Sequence, residues 1–381
     1  MDESVTQPAP AKPVRQAIAD AADALRAGKP VVAPIDAGFG VAATATSDAL
    51  AAIVRAVGCD GDGKRDEAGV VAGLVASTDE MESAFSTTRL AHRLLLHRLA
   101  PGPAVFVGLG PERNATDDAT DVWQRDGELW LRCPGPDATR ALAAAVDAAI
   151  VVVEPAWRHA DEPALPTTQS GLALLKKLGF SDGAASLDDG ERLGVPTAAT
   201  IVRLIDKPET PCEIIRQGAY EERYIRAQLT RTILFLCTGN TCRSPMAEAI
   251  AADLLARGET PTDQAVVTRV VSAGVATMGG SPVSIEAVEA LARLDVEFDP
   301  RRCSRPLTRD LLADADVIFA MSPGHAEAVA RLDSVAAKRV RLLDPAGRDI
   351  PDPVGAPQEV YDETARRLRN LIAQRLRECT I

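Results

Sequence analysis

The sequence predicts an α/β protein of two domains, the second built on a four-stranded parallel sheet. Three observations carry this. The chain has 381 residues, more than one domain usually holds. Short, continuous apolar runs alternate with amphipathic helical patterns through the last 150 or so residues, as in a parallel sheet covered by helices on both faces. Charge is also divided unevenly: residues 231–381 carry 19 basic and 21 acidic side chains, whereas residues 1–230 carry 23 and 33.

Composition narrows the function classes. Apolar residues make up 46% and charged residues 25%, ordinary for a globular protein and incompatible with disorder over most of the chain. The Ala-rich run 141–153 is broken by Asp147, and no stretch reaches the roughly 18 apolar residues of a membrane helix. The formal net charge of −12 disfavours nucleic acid, because phosphate backbones select basic surfaces. Seven cysteines, at 59, 133, 212, 237, 242, 303 and 379, are odd in number and scattered, which does not suggest a disulfide framework. A cytoplasmic location is expected, with residues 1–13 a polar, Pro/Ala-rich disordered lead-in.

In chain order, Ile18, Ala21, Ala22 and Leu25 share one face of a first helix that ends before Gly28, and residues 31–34 read as a strand. Residues 219–230 turn polar and charged and are taken as the linker, so the domains span 14–218 and 231–381. In the second domain the apolar run 232–236 predicts a strand buried on both faces. Pro245 opens a helix whose Met246, Ile250, Leu254 and Leu255 recur on one face. Strands follow at 269–272, 316–321 and 340–343, with helical patterns at 284–293, 309–314 and after Gly324. A last helix, 358–377, aligns Tyr361, Thr364, Leu368, Leu371 and Leu376.

The chemistry lies in the first strand-to-helix turn of this domain, Cys237-Thr238-Gly239-Asn240-Thr241-Cys242-Arg243-Ser244-Pro245. A bare Cys-x5-Arg spacing is weak, but here the Cys ends a buried strand and the Arg leads into a helix. Gly239 and Asn240 tolerate left-handed backbone. Residues 238–244 thus predict an anion cradle in which backbone N–H groups and a helix N-terminus face a phosphate. Cys237 at its base is favoured as the thiolate nucleophile, Arg243 grips two phosphoryl oxygens, and Ser244 adds a hydroxyl hydrogen bond. A phosphocysteine results. Asp352, in the proline-bracketed loop 349–355 after the fourth strand, is the candidate proton donor to the leaving group and later acceptor from water. No cofactor and no metal are expected, since Cys237 and Cys242 have no second Cys or His pair at zinc spacing. His325, after a strand and a turn, is read either as bordering the site or, in preference, as packing at a helix N-terminus.

On these residues, the region 231–381 resembles the low-molecular-weight protein tyrosine phosphatase family. The resemblance implies Cys237 as nucleophile, Arg243 as phosphate ligand, Asn240 and Ser244 as loop organisers and Asp352-Pro353 as the general-acid motif; Ser272-Ala273-Gly274 matches a further family motif. Val354 and Gly355 follow Asp352-Pro353 where tyrosine-specific members carry aromatic residues, and Thr241 resembles the bacterial protein arginine phosphatase branch. Both phosphoarginine and phosphotyrosine proteins remain as substrates. Arsenate reductases share the cradle but relay oxidation through further cysteines, and only Cys303 and Cys379 lie downstream. Cys242 is read either as a redox partner of Cys237 or as a packing thiol.

The first domain carries, in order, Pro34-Ile35-Asp36-Ala37-Gly38-Phe39-Gly40, Leu131-Arg132-Cys133-Pro134, Asp188-Asp189-Gly190, Ala199-Thr200-Ile201-Val202 and Ile215-Arg216-Gln217-Gly218-Ala219. This order resembles the threonylcarbamoyl-AMP synthase (YrdC-like) family and implies its twisted α/β fold. The family motif Pro-Thr-Asp-Thr-x-Tyr-Gly has lost both threonines and the tyrosine. Lys-x-Arg has no counterpart near 60–66, Ser-x-Asn is missing from 163–170, and Ser-Thr reads Ala199-Thr200. The expectation is a retained fold without synthase activity, leaving a regulatory nucleotide or phosphoamino-acid pocket, or a docking surface for protein substrates. The alternatives are a bifunctional protein that keeps synthase or nucleotide/RNA binding, and a pure interaction protein built from two spent folds.

Overall fold

The computed structural model describes residues 14–378 apart from 37, 58–68, 86, 88, 111–123, 126, 156–164, 166, 181–184, 188–196 and 261. It divides into two compact units, residues 1–88 with 92–228 and residues 89–91 with 229–381.

The first unit is a mixed α/β layer. Its elements are α1 (Val14–Arg26), β1 (Val31–Pro34), β2 (Phe39–Thr44), α2 (Asp48–Val57), β3 (Val70–Leu74), α3 (Thr78–Ala84), α4 (Leu90–Leu99) and β4 (Ala104–Leu109). There follow β5 (Gln124–Arg125), β6 (Glu128–Arg132), α5 (Asp137–Ala145), β7 (Ile150–Glu154), α6 (Thr168–Lys177), β8 (Ala185–Ser186), β9 (Thr200–Lys207), β10 (Thr210–Arg216) and α7 (Glu222–Ala227). The ten strands form one sheet in the order β10-β9-β4-β6-β3-β7-β2-β1-β8, with β5 on β6. Both faces are covered: Val31 and Ala33 of β1 pack with Ala21, Leu25 and Leu142, and Val32 with Leu50, Ile53 and Leu175. The stretch read as a linker holds α7.

The second unit contains β11 (Thr230–Cys237), α8 (Arg243–Ala256), β12 (Val267–Gly274), α9 (Ile285–Ala292), α10 (Arg309–Asp314), β13 (Val317–Ala320), α11 (Pro323–Leu332), a 3-10 turn (Ala336–Arg339), β14 (Val340–Leu342) and α12 (Gln358–Glu378). The four strands are all parallel, in the order β12-β11-β13-β14. The unbroken apolar run of β11 has its reason in side-chain alternation. Ile233 and Phe235 pack under α8 and α12, with Met246, Ile250 and Leu368. Leu234 and Leu236 pack on the opposite face with Leu312, Ile318 and Val329. Each such side chain stabilises the fold by roughly 1.5–3 kcal/mol.

Two local expectations need correction. Helix α8 begins at Arg243, not at Pro245; Pro245 still falls within the first turn, where an N–H has no helical partner. In α12 the buried stripe continues through Ala365 and Ile372, while Leu371 is only partly buried, because the 3.6-residue period places position 372, four after Leu368, under the helix.

Candidate active site

The central strand β11 ends at Cys237, which is 2% exposed, and the chain turns over residues 238–242 into α8. Asn240 adopts φ +57°, the left-handed conformation that lets the loop close. Gly239 does not share it. The Asn240 side chain locks the turn: its Nδ2 donates to Ser244 Oγ at 2.9 Å and to Ser272 Oγ at 2.8 Å, and its Oδ1 accepts from the Arg305 N–H at 2.9 Å. Gly274 has a steric reason, since a Cβ there would lie 2.8 Å from Thr238 O and 2.9 Å from the Gly239 carbonyl carbon. The Ser272-Ala273-Gly274 motif is thus the back wall of the loop.

Around the sulfur, the Asn240 N–H donates to Cys237 Sγ at 3.3 Å and Ser244 Oγ lies 2.9 Å away. Ser244 Oγ accepts from Asn240 Nδ2, and its one hydrogen has two acceptors in reach, the sulfur at 2.9 Å and Ala273 O at 3.5 Å; a thiolate, which cannot donate, takes it at the shorter distance. Two donors therefore converge on one thiol at a helix N-terminus, an arrangement suited to a thiolate. Arg243 is 5% exposed. Its Nη1 donates to Ile350 O at 3.0 Å, its Nη2 to Thr238 Oγ1 at 3.3 Å and to the Asp352 carboxylate, and its Nε is buried with no hydrogen-bond partner. Among the described residues Arg132 Nε and Arg339 Nε are buried unmatched in the same way, so the Nε by itself does not mark a ligand. The Asp352 side chain is 41% exposed. Cys237, Arg243, Ser244 and Asp352 are thus brought together.

Cys242 turns away from this centre. Its sulfur lies 3.3 Å from Ser284 Oγ and 3.6 Å from the Tyr361 hydroxyl; burial pushes the Tyr361 phenol up to about 12. Thr241 is half-buried, while Val354 is exposed. His325 is buried and bonded, with Nε2 3.0 Å from Thr238 Oγ1 and Nδ1 2.8 Å from Ser322 Oγ. Burial and then the Arg243 charge lower its pKa from 6.5, while Asp352 and Asp349 oppose the shift. Among the described residues, no group of three or more His, Cys, Asp or Glu is arranged to hold a metal ion, and no helix is long and apolar enough to cross a membrane.

In the first unit Ile35 and Asp36 of the first motif meet the buried Arg132 of the second. Arg132, 1% exposed, donates through Nη1 to Glu154 Oε2 at 2.6 Å and through Nη2 to Asp36 Oδ2 at 3.0 Å and Ile35 O at 2.9 Å. Although burial opposes it, Glu154 and Asp36 hold this guanidinium charged. Asp36 sits at φ +78° and also accepts from the Gly135 N–H at 2.6 Å. Arg216 is hydrogen-bonded to Ala199 O at 3.0 Å, and the Thr200 hydroxyl accepts from the Tyr220 N–H at 2.9 Å. Ala37, residues 60–66, 163–164, 166 and 188–190 lie outside the described residues.

A family model described as low molecular weight phosphotyrosine protein phosphatase matches residues 232–379. A second, described as telomere recombination and covering the Sua5, YciO and YrdC proteins, matches residues 23–218. The chain belongs to both families. A protein-arginine-phosphatase of Bacillus subtilis is 33% identical over 147 residues, which are 37% of this chain and 92% of that protein. The low molecular weight protein-tyrosine-phosphatase PtpB of Staphylococcus epidermidis is 32% identical over 142 residues, 37% of this chain and 93% of its own length. Arsenate reductase 1 of Bacillus cereus is 34% identical over 142 residues, 35% and 96% respectively.

Three features of the phosphatase domain escaped sequence reasoning. Arg302 pairs with the buried Glu248 and lies 3.5 Å from Ser272 Oγ, extending the scaffold behind Asn240. Thr238 joins His325 to Arg243, and Tyr361 closes over Cys242. Apart from the Thr238–Arg243 bond within the loop, these contacts join residues 30 to about 120 positions apart, with no local periodicity to reveal them. In the YrdC domain, Arg132 and its partner Asp36 both lie in sequence motifs, but Glu154 does not, and nothing local announces their pairing.

Proposed function

We propose that the phosphatase domain hydrolyses phosphorylated protein residues through a phosphocysteine, with Cys237 as nucleophile, residues 238–244 as phosphate cradle, Arg243 as phosphoryl ligand and Asp352 as proton donor. The observation that carries this reading is the convergence of the Asn240 N–H and the Ser244 hydroxyl on Cys237 Sγ, with the buried Arg243 guanidinium bonded to Asp352 in the same loop cluster. The Cys237 sulfur attacks phosphorus as the bond to the leaving oxygen or nitrogen breaks, and that atom takes the Asp352 proton. Water then attacks the phosphocysteine, Asp352 takes its proton, and the S–P bond breaks to release phosphate and the thiolate. Arg243 stabilises the charge on the phosphoryl oxygens in both steps. A dianion in the cradle competes with the Asp352 carboxylate for Nη2, which releases Asp352 toward the leaving group.

Phosphoarginine is the favoured substrate. Half-buried Thr241 offers a hydroxyl to a phosphoguanidinium, and Val354 and Gly355 offer no aromatic face for a tyrosine ring. Steady-state turnover of matched phosphoarginine and phosphotyrosine peptides tests this. A higher kcat/KM for phosphoarginine is expected; equal or tyrosine-preferring values contradict the arginine assignment. The phosphatase reading itself is tested by p-nitrophenyl phosphate hydrolysis. We place the domains at 14–218 and 231–381.

For the YrdC domain we propose that synthase activity is lost. Adenylate chemistry requires cations facing a triphosphate, and the fork of Arg132 is already taken by Glu154 and Asp36. Incubation with ATP, threonine and bicarbonate is expected to release no pyrophosphate; pyrophosphate release would overturn this.

A further inference from the structure

His325 takes no part in the steps above, yet it is buried against the cradle wall. Its ring nitrogens meet two hydroxyls, Thr238 Oγ1 at Nε2 and Ser322 Oγ at Nδ1. Thr238 Oγ1 also lies 3.3 Å from Arg243 Nη2. Arginine nitrogens only donate, so Thr238 accepts from Arg243 and keeps one hydrogen to give. The charged groups facing the ring are Arg243 of α8 and Asp349 and Asp352 of the loop after β14. Nε2 is the nitrogen turned toward the Arg243-bound hydroxyl, and an N–H dipole aimed at a cation is unfavourable where a lone pair is favourable. The hydrogen bonds then run in one direction: Arg243 Nη2–H to Thr238, Thr238 O–H to His325 Nε2, and His325 Nδ1–H to Ser322 Oγ. Bonds aligned in this way polarise and strengthen one another.

We propose that His325, carrying its single ring proton on Nδ1, is a positioning residue that accepts the Thr238 hydroxyl and so fixes the Arg243 guanidinium for its phosphoryl ligand. The proposal rests on the phosphatase reading of the cradle. Nη2 has two side-chain partners, Thr238 and Asp352. Once Asp352 turns to the leaving group, Thr238 is the partner that keeps Nη2 in place. Thr238 is itself exposed, and His325 is what stops its hydroxyl from rotating.

The test uses the full-length chain with His325→Leu and His325→Gln. The glutamine amide oxygen reaches toward the Nε2 position and accepts the same hydroxyl; leucine accepts nothing. In a Cys237→Ser background, calorimetry with inorganic phosphate is expected to show affinity weakened about tenfold by His325→Leu, about 1.4 kcal/mol, and restored to within about threefold by His325→Gln. With Cys237 present, His325→Leu raises KM for p-nitrophenyl phosphate more than it lowers kcat. A long-range 1H–15N correlation on the unsubstituted protein is expected to place the ring proton on Nδ1, which keeps the proposal refutable even where the leucine variant fails to fold. A proton on Nε2, or phosphate affinity changed equally by both variants or by neither, overturns the proposal. If the parent binds phosphate but does not hydrolyse p-nitrophenyl phosphate, the phosphatase reading falls while the phosphate titration still decides the role of His325. A parent that binds no phosphate overturns both.

Discussion

Cys237→Ser is expected to lower p-nitrophenyl phosphate hydrolysis by roughly four orders of magnitude or more, with the fold and phosphate binding retained. The sulfur is the atom on which the cradle's donors converge: the Asn240 N–H at 3.3 Å and the Ser244 hydroxyl at 2.9 Å. A serine hydroxyl in the same place is smaller and can still bond Ser244, but it holds its proton far more tightly than a thiol and is a poor nucleophile without a base. Among the described contacts around Cys237, no imidazole or amine is positioned to act as that base. The exchange removes little volume from a core that already seats the side chain, so a stability loss under about 1.5 kcal/mol is expected. Steady-state rates, thermal melting and phosphate calorimetry on the variant check all three parts. A residual rate within tenfold of the parent would remove Cys237 from the reaction.

Arg243→Lys is expected to lower kcat/KM by about two to three orders of magnitude although the charge is kept. The guanidinium uses separate nitrogens at once: Nη1 on Ile350 O, Nη2 on Thr238 Oγ1 and the Asp352 carboxylate, with Nε unmatched. A lysine ammonium offers one point of charge on a flexible stem and cannot hold the Ile350 carbonyl and two phosphoryl oxygens together. Ile350 O is then left without its donor in a buried site. The loss should fall on both kcat and KM, since the fork binds the phosphoryl group in the ground state and in the transition state. A variant that retains more than about a third of kcat/KM would show that charge alone suffices.

Much of this site was legible in the sequence because its parts are local. A strand with an unbroken apolar run from Ile233 to Leu236, a loop of small and polar residues and an Arg at the start of a helix lie within 15 positions, and each follows a backbone rule. The left-handed turn at Asn240 illustrates both the reach and the limit of such rules. The residue type announces tolerance for φ near +57°, but Gly239, equally tolerant, does not use it, because the side chain of Asn240 is tied to Ser272, Ser244 and Arg305. The start of α8 was misread by two residues for a related reason. Pro245 is compatible with any first-turn position, and the bond from the Met246 N–H to Cys242 O is what starts the helix at Arg243. His325 and Arg302 carry no local signature of their contacts with Thr238 and Ser272, which depend on how β13 and the loop before α10 are brought beside β11 and β12. The YrdC domain shows the complementary case. Its motifs were readable as eroded, but the internal pairing of Arg132 with Asp36 and Glu154 joins residues about 96 and 22 positions away.

The central claim is a covalent phosphoryl group on one sulfur. Asp352→Asn removes both the proton donor of the first step and the group that activates water in the second, while leaving Cys237 in place; p-nitrophenolate leaves without a proton, so with p-nitrophenyl phosphate the intermediate still forms and should accumulate. Rapid acid quenching of this variant during turnover of p-nitrophenyl phosphate, followed by peptide mass mapping, is predicted to find a single phosphoryl group on Cys237. Turnover with no phosphorylated cysteine, or with the label on any other residue, would contradict the account.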